Sequence, residues 1–203
     1  VMALWEMRRC KCDELRWKLE LLRSSKPSAR QLRKMLQNHR APKVRLPGMR
    51  VEPTAEDVAQ IMVETPNTVF VTFTKGRAEQ LNGLVVQALF SGIPPVTLAP
   101  GDPRDNWRNY AGFNEMVDAE TPWIPIYIGM RLTLTRNLDK DNGFVNGMGC
   151  RVVKVRKSGI EVRTDVGTTI AVHPKVDYFD LSSGQKLRVN YLPIRLGYAV
   201  NLH

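Results

Sequence analysis

The period of the hydrophobic residues changes within this chain, and that change constrains the fold more than any other feature. In residues 54–92 apolar residues recur every three or four positions, around one short run of β-branched and aromatic residues. From Ile126 onward they recur every second position. The first pattern is typical of amphipathic helices beside a strand, and the second of strands with one solvated face. The sequence therefore predicts an α/β layer followed by an antiparallel β region.

The α/β layer is predicted from three consecutive signals. Thr54-Ala-Glu-Asp57 has the spacing of a capping box and starts a helix with Val58, Ile61 and Met62 facing inward. The run TVFVTF at 68–73 has the composition of a buried strand. A tight turn then leads to an amphipathic helix that Gly92 can end. Strand, turn and helix form half of a βαβ unit, which predicts a parallel sheet.

The antiparallel region is predicted to contain five short strands. Lys157-Ser-Gly159 and Asp165-Val-Gly167 are typical of hairpin turns. In the strand before the first turn, alternation predicts Val153 and Val155 inward. Strands of this number and length indicate a small antiparallel barrel of SH3-like size. Since residues 187–201 return to an apolar strand pattern, we expect the barrel to be inserted into the α/β layer.

The segments on either side of the α/β layer carry weaker signals. Asp13 can cap a helix that ends near Ser24, and Ser28 to Gln31 has capping-box spacing before a second helix. Residues 42–53 contain three prolines and are predicted to be a linker. The proline-rich residues 91–125 are predicted to be a long connection over the surface.

The charge distribution favours a polyanionic partner. The net charge is +10; residues 1–50 hold 14 basic and 4 acidic residues, residues 51–125 hold 4 and 10, and residues 126–203 hold 12 and 6. Two basic regions around an acidic one suit nucleic acid, although basic residues also solvate exposed helix faces. Three cysteines favour an intracellular, reducing compartment over a disulfide scaffold. We expect no membrane segment, because no apolar run approaches the length of a span.

Several enzyme classes are disfavoured by what the sequence lacks. It contains no phosphate loop of the form G-x-x-x-x-G-K-[ST], and no acidic pair follows an apolar strand where a Mg²⁺ ligand is expected. Cys10-x-Cys12 has no second ligand pair, so we expect no zinc. We therefore expect the chain alone to be inactive and to bind no cofactor.

Residues 126–155, IYIGMRLTLTRNLDKDNGFVNGMGCRVVKV, resemble the stretch of Pif/RecD-type superfamily-one DNA helicases that opens an SH3-like insert, 2B, in the second RecA-like domain, 2A. Asn146-Gly147 suits a tight turn with positive φ, and Gly149 permits a close approach. Asn137 can end the first strand through local side-chain bonds. These four residues are the predicted structural turn positions.

Three other stretches resemble the same family in the same order. LPIRLGYAVNLH at 192–203 resembles the segment leading into helicase motif V, which implies DNA contact by His203 and a chain that is a fragment. VFVTFTKGRAEQLN at 69–82 resembles a strand and helix whose asparagine corresponds to Asn82. Asn82 is a candidate for DNA contact, and a bond to a neighbouring loop is the alternative. In residues 5–32, the resemblance implies that Arg9, or alternatively Arg8, is an arginine finger reaching the nucleotide γ-phosphate.

The resemblance implies an α/β fold in which a partial RecA-like parallel sheet with helices is interrupted by a small antiparallel SH3-like barrel. Residues 1–125 are expected to hold N-terminal helices and part of 2A, residues 126–190 the 2B barrel, and residues 191–203 the return strand. The implied function is that of the C-terminal part of an ATP-dependent DNA helicase, with roles such as DNA repair, recombination or telomere maintenance. ATP and Mg²⁺ are implied in the full-length protein only, and single-stranded DNA and a missing N-terminal RecA-like domain are the implied partners. A eukaryotic source would imply the nucleus or mitochondrion.

Two groups of residues are candidates for contact with DNA, besides Asn82 and His203. Thr74 and Lys75 stand at the strand-to-helix turn, where a hydroxyl, N–H groups and an ammonium can meet a phosphate; plain helix capping is the alternative. The other group shares a basic strand and turn, which is either a DNA contact or a solvated face: Arg151, Lys154, Arg156 and Lys157. Two functional alternatives remain open, namely a non-catalytic nucleic-acid-binding module and a decayed, inactive fragment.

Overall fold

The computed structural model of the chain describes Trp17, Leu21 and residues 27–36, 54–72, 74–111 and 115–201. It separates into two units, Val1–Val51 and Glu52–His203. The linker predicted at 42–53 lies outside the described residues. Most of the helix predicted from Asp13 also lies outside them.

In the first unit, helix α1 spans Ala29–Leu36. The backbone N–H of Gln31 donates to Ser28 Oγ at 3.3 Å, and the N–H of Ser28 donates to Gln31 Oε1 at 2.9 Å. These reciprocal bonds satisfy helix-terminal donors, which confirms the predicted capping box.

The second unit begins with helix α2 (Ala55–Glu64), strand β1 (Phe70–Thr72) and helix α3 (Lys75–Phe90). The capping box between Thr54 and Asp57 is formed, and the three predicted inward side chains of α2 are buried. Strand β1 is shorter than predicted, and Val71 is 59% exposed, so one of its faces is open.

Strand β1 pairs in parallel with strand β11 (Ala199–Asn201). Phe70 lies opposite Ala199, and the Thr72 hydroxyl lies 3.4 Å from the carbonyl of Val200, 128 positions further along the chain. Helix α3 covers this pair with Ala78 and Leu81, which pack against Ala199. The structure thus contains the parallel element predicted by the strand–turn–helix pattern.

The antiparallel region forms an open five-stranded sheet. Its strands follow the order β10-β4-β5-β6-β7, with β4 at Arg131–Leu134, β5 at Gly149–Arg156, β6 at Gly159–Thr164, β7 at Thr169–Val172 and β10 at Ile194–Leu196. After β7 the chain enters a separate hairpin, β8 (Lys175–Asp180) with β9 (Lys186–Tyr191), instead of pairing with β10. Among the described residues the edges β7 and β10 stay unpaired, so the expected closed SH3-like barrel is not observed.

The return segment contains two strands, although the sequence pattern predicts one. Strand β10 extends the five-stranded sheet by pairing with β4, and only β11 rejoins β1. The antiparallel insertion therefore extends past residue 190, to Leu196. The fold of this unit is mixed α/β, with one parallel pair and the remaining described sheets antiparallel.

A β-bulge changes the inward residues of β5. The register with β6 shifts between Val152 and Lys154. Cys150 and Val152 are consequently buried, while Val153, predicted to face inward, is 43% exposed. A bulge adds one residue to one strand, so simple alternation across it assigns the wrong face.

The surface connection predicted at 91–125 is confirmed only in part over residues 91–111 and 115–125, which the structure describes. Residues 91–96 are exposed, as predicted, whereas residues 101–103 are buried. Strand β2 (Thr97–Pro100) pairs with strand β3 (Trp123–Ile126), and two short 3₁₀ helices follow β2 at Pro103–Asp105 and Trp107–Asn109. Asn109 is buried and donates to the carbonyls of Pro103 at 2.8 Å and Glu120 at 3.0 Å. Such side-chain bonds satisfy the loop backbone, which allows it to be buried.

A partly buried polar network joins this loop to the β8–β9 hairpin; Tyr191 and Asp102 are buried, whereas the side chains of Arg104, Arg136 and Asp177 are about one third exposed. The Tyr191 hydroxyl donates to Asp177 Oδ2 at 2.6 Å and accepts from the guanidinium groups of Arg104 and Arg136. The buried Asp102 carboxylate accepts from Arg104 at 3.0 Å and from Thr135 at 2.8 Å. Burial and the bond to Asp177 raise the pKa of Tyr191, so its hydroxyl stays protonated in the ordinary pH range.

Along the described stretches of chain, no helix is long and apolar enough to cross a membrane.

Replacing Tyr191 by Phe is expected to lower the free energy of unfolding by about 1–3 kcal/mol, because it removes the hydroxyl that both arginines and Asp177 share. Denaturant unfolding followed by circular dichroism measures this change. The matched control is Tyr178→Phe, at an exposed position, which is expected to change stability by less than about 0.5 kcal/mol. Equal effects of the two substitutions would contradict a stabilising role for the network.

Candidate nucleic-acid interface

A cavity of about 160 Å³ lies where the parallel strands end and helix α3 begins. Ligands of open parallel sheets bind at the carboxyl ends of the strands, which is the position of this cavity. Its polar and aromatic lining comes from three segments of the second unit and includes Lys75, Asn82, Asp105, Trp123, Arg195 and Asn201.

Thr74 and Lys75 are exposed at the N-terminus of α3, as the sequence predicts. Thr74 is the N-cap, and its Oγ1 accepts a hydrogen bond from the N–H of Arg77 at 3.3 Å. Its hydroxyl proton is not used by that bond. The ammonium of Lys75 lies 5.0 Å from the centre of the Tyr110 ring, a cation–π distance that orients the side chain. Capping and ligand contact are therefore compatible at this turn.

An ion pair forms part of the cavity wall. Arg195 Nη1 donates to Asp105 Oδ1 at 2.8 Å. Burial raises the pKa of Asp105, and the nearby Arg195 offsets part of that rise.

Two buried donors on the cavity lining have no hydrogen-bond partner within the described residues. They are Arg195 Nε and Asn201 Nδ2. Buried polar groups are nearly always paired in folded proteins, so two unpaired N–H groups at one cavity suit a ligand with acceptor oxygens. Neither residue is a candidate in the sequence analysis. The apolar pattern of residues 187–201 does not show which of their side chains face helix α3.

Asn82 is buried and positions the strand β11, which agrees with the alternative that it bonds a neighbouring segment; its contact with DNA stays a prediction. The residue is only 7% exposed. Its Oδ1 accepts from the N–H groups of Tyr198 at 3.0 Å and Ala199 at 2.8 Å, and its Nδ2 donates to the carbonyl of Ala199 at 3.0 Å. Three of the four hydrogen-bonding positions of the amide are thus occupied by the backbone around the start of β11.

Two residues of the predicted basic strand, Arg151 and Arg156, make contacts within the protein. Arg151 donates to the carbonyl of Pro66 at 3.3 Å and to Asn67 Oδ1 at 2.9 Å, which ties β5 to the loop before β1, at the opposite end of that strand. Arg156 pairs with Glu161. Lys154 and Lys157 are exposed and have no ion pair among the described residues.

The predicted turn residues act structurally. Asn137 Oδ1 accepts from the N–H of Asn146 at 3.0 Å, and Gly147 has a φ of +87°. A Cβ at Gly149 would overlap the ion pair between Arg131 and Asp165. Gly149 therefore permits the close approach of two side chains, those of Arg131 and Asp165.

Three predicted site residues, Arg8, Arg9 and His203, lie outside the described residues, and their roles stay predictions. Within residues that the structure describes, no group of three or more His, Cys, Asp or Glu side chains is placed to hold a metal ion.

Comparison with solved structures finds similarity to Pif1 helicases. Unliganded Pif1 from Bacteroides sp is 18% identical over 67% of this chain and 42% of that protein, with a TM-score of 0.43. Pif1 from Bacteroides in complex with ADP-AlF3 and single-stranded DNA is 17% identical over 98% of this chain and 41% of its own, with a TM-score of 0.46. Pif1 from Candida albicans is 13% identical over 73% and 40%, with a TM-score of 0.45. The chain spans about two fifths of each. No family model matches the chain, and no curated protein does.

Replacing Asn82 by Ala is expected to lower the free energy of unfolding by about 1–3 kcal/mol, because backbone groups of Tyr198 and Ala199 lose their buried partner. Chemical denaturation measures the change. Asn190→Ala is the matched control, since Asn190 is exposed, and it is expected to be nearly neutral. A neutral Asn82→Ala variant would refute the positioning role.

Proposed function

We propose that this chain is the C-terminal part of the motor of an ATP-dependent DNA helicase. In this proposal it binds single-stranded DNA at the carboxyl ends of β1 and β11. The observation that carries the proposal is the parallel pairing of β1 with β11 across an antiparallel insertion. That order of elements is the one that the family resemblance implies.

Two stretches of the chain, each of which resembles a different helicase segment, lie next to each other at the cavity. The first, residues 69–82, supplies β1 and the start of α3, and the second, residues 192–203, supplies β11. Asn82 of the first stretch binds the backbone of Ala199 in the second. The residues that carry the resemblance are therefore spatial neighbours, although they are 117 positions apart.

The cavity offers hydrogen-bond donors suited to a phosphate. The Lys75 ammonium and the unpaired N–H groups of Arg195 and Asn201 line the cavity, and the Thr74 hydroxyl lies beside Lys75 at the start of α3. The two carboxylates of the lining, Glu79 and Asp105, are paired with Arg108 and Arg195. Contacts to phosphate position a strand without selecting its sequence, as translocation along DNA requires. Phosphate binding also releases counterions, so the affinity must fall as salt increases.

ATP and Mg²⁺ belong to the complete motor in this proposal. The sequence has no phosphate loop, which is why the proposal assigns nucleotide binding to the complete motor. An N-terminal RecA-like domain would supply the phosphate loop. Arg9, with Arg8 as the alternative, is the proposed arginine finger from this chain.

The Lys75→Ala variant is expected to bind single-stranded DNA more weakly than the unmodified chain. It should also reduce the slope of log affinity against log salt by about 0.7, the value for one phosphate contact on a single strand. Fluorescence anisotropy of a labelled oligo(dT) at several salt concentrations measures both quantities. Lys140→Ala is the matched control, because Lys140 is exposed in the loop between β4 and β5 and does not line the cavity. The same slope for both variants would argue against the proposed site.

The isolated chain is expected to hydrolyse no ATP, with or without single-stranded DNA, because the phosphate loop is absent. A coupled assay for released phosphate measures turnover, and a helicase with both motor domains is the positive control. Turnover by the isolated chain that copurifies with it through several columns would contradict the division of roles proposed here.

A further inference from the structure

The β8–β9 hairpin has one packed face and one open face. Phe179, Val189 and Tyr191 pack with Ala119 on the inner side. The outer face carries three cross-strand pairs, Val176 with Asn190, Tyr178 with Arg188, and Asp180 with Lys186. All six of these outer residues are exposed.

An aromatic ring and a guanidinium stand side by side at the centre of this outer face. Tyr178 is 68% exposed, more than any other tyrosine among the described residues. Arg188 lies directly opposite on β9, is exposed, and forms no ion pair within the described part of the chain. Lys186 pairs at 3.5 Å with Asp180, which neutralises that carboxylate and leaves Arg188 as the unpaired charge.

Contacts on the inner side of the hairpin fix its position, so the side chains of the outer face are presented from an ordered pair of strands. The guanidinium of Arg104 lies 4.9 Å from the centre of the Phe179 ring and donates to Asp177 at 2.6 Å. Arg136 donates to the same carboxylate at 2.7 Å. Asp177 is thus neutralised on the inner side, and its charge does not oppose an anion at Arg188.

We propose that the outer face of this hairpin is a second contact for single-stranded DNA, in which a base stacks on Tyr178 and the adjoining phosphate binds Arg188. Exposed aromatic rings beside cations on a strand surface are how proteins bind single strands without sequence preference. A duplex keeps its base faces stacked internally and cannot offer them to the ring. The choice of DNA as ligand rests on the proposed function, but the surface is separate from the cavity at the carboxyl ends of β1 and β11.

The test compares four variants in binding to labelled oligo(dT). Tyr178→Ala is expected to weaken binding at least fivefold, the low end of the range of about 5- to 150-fold for loss of one stacked base. Tyr178→Phe keeps the ring and is expected to bind within twofold of the unmodified chain. Arg188→Ala should reduce the salt slope by about 0.7, whereas Arg163→Ala, an exposed arginine on β6, should not.

A crosslink gives a readout that does not depend on the variants folding. Oligo(dT) containing 5-iodouracil is irradiated with the unmodified chain, and mass spectrometry locates the modified residue. A crosslink at Tyr178 supports the inference. Crosslinks confined to other residues, equal affinity of the Tyr178→Ala and Tyr178→Phe variants, or equally tight binding of a duplex would each overturn it.

The result also separates this inference from the proposed function. If Lys75→Ala weakens binding and Tyr178→Ala does not, the hairpin contact is refuted and the cavity site stands. If only the Tyr178 variant weakens binding, the hairpin contact stands and the cavity site is refuted. No binding of oligo(dT) by the unmodified chain would overturn both.

Discussion

The parallel pairing of β1 with β11 is the interaction on which the rest of the second unit depends. Each strand has only three residues, so their backbone bonds alone make a weak sheet. Asn82 supplements them by binding the backbone at Tyr198 and Ala199 from helix α3. The inserted β region contributes as well: β10 pairs with β4, which returns the chain to the α/β layer just before β11 begins. A folded insertion thereby lowers the entropic cost of joining distant strands.

Local signals predict much of this fold, and non-local contacts explain what they miss. The capping boxes at Ser28 and Thr54 and the hairpin turns depend on residues a few positions apart, and the structure contains them as predicted. The bulge after Val152 changes which residues of β5 face inward, and the alternation of the sequence does not reveal that bulge. Residues 101–103 belong to a segment that looks exposed by composition, but they are buried, and the Asn109 side chain satisfies the carbonyls of Pro103 and Glu120 there. Such bonds depend on a tertiary arrangement that periodicity does not encode.

The candidate site shows the same division. Thr74 and Lys75 are predictable because a strand-to-helix turn places its first residues at the carboxyl end of a parallel strand. Arg195 and Asn201 are not, since their pattern indicates one strand where the structure has two. Charge is a poor guide to Arg151, whose guanidinium binds the loop before β1. Trp123 is 65% exposed beside the cavity, a position that composition does not indicate.

The separation of β1 and β11 along the chain has a consequence for biosynthesis. Helices α2 and α3 and strand β1 leave the ribosome long before β11, and until then Asn82 has no backbone to bind and Ala78 and Leu81 have no Ala199 to cover. The antiparallel strands in between pair mostly with near neighbours in sequence and can fold first. Until the insertion and β11 have been synthesised, the nascent α/β layer is therefore incomplete and exposes apolar residues of α3. This aggregation-prone stage is the one at which chaperone protection matters most.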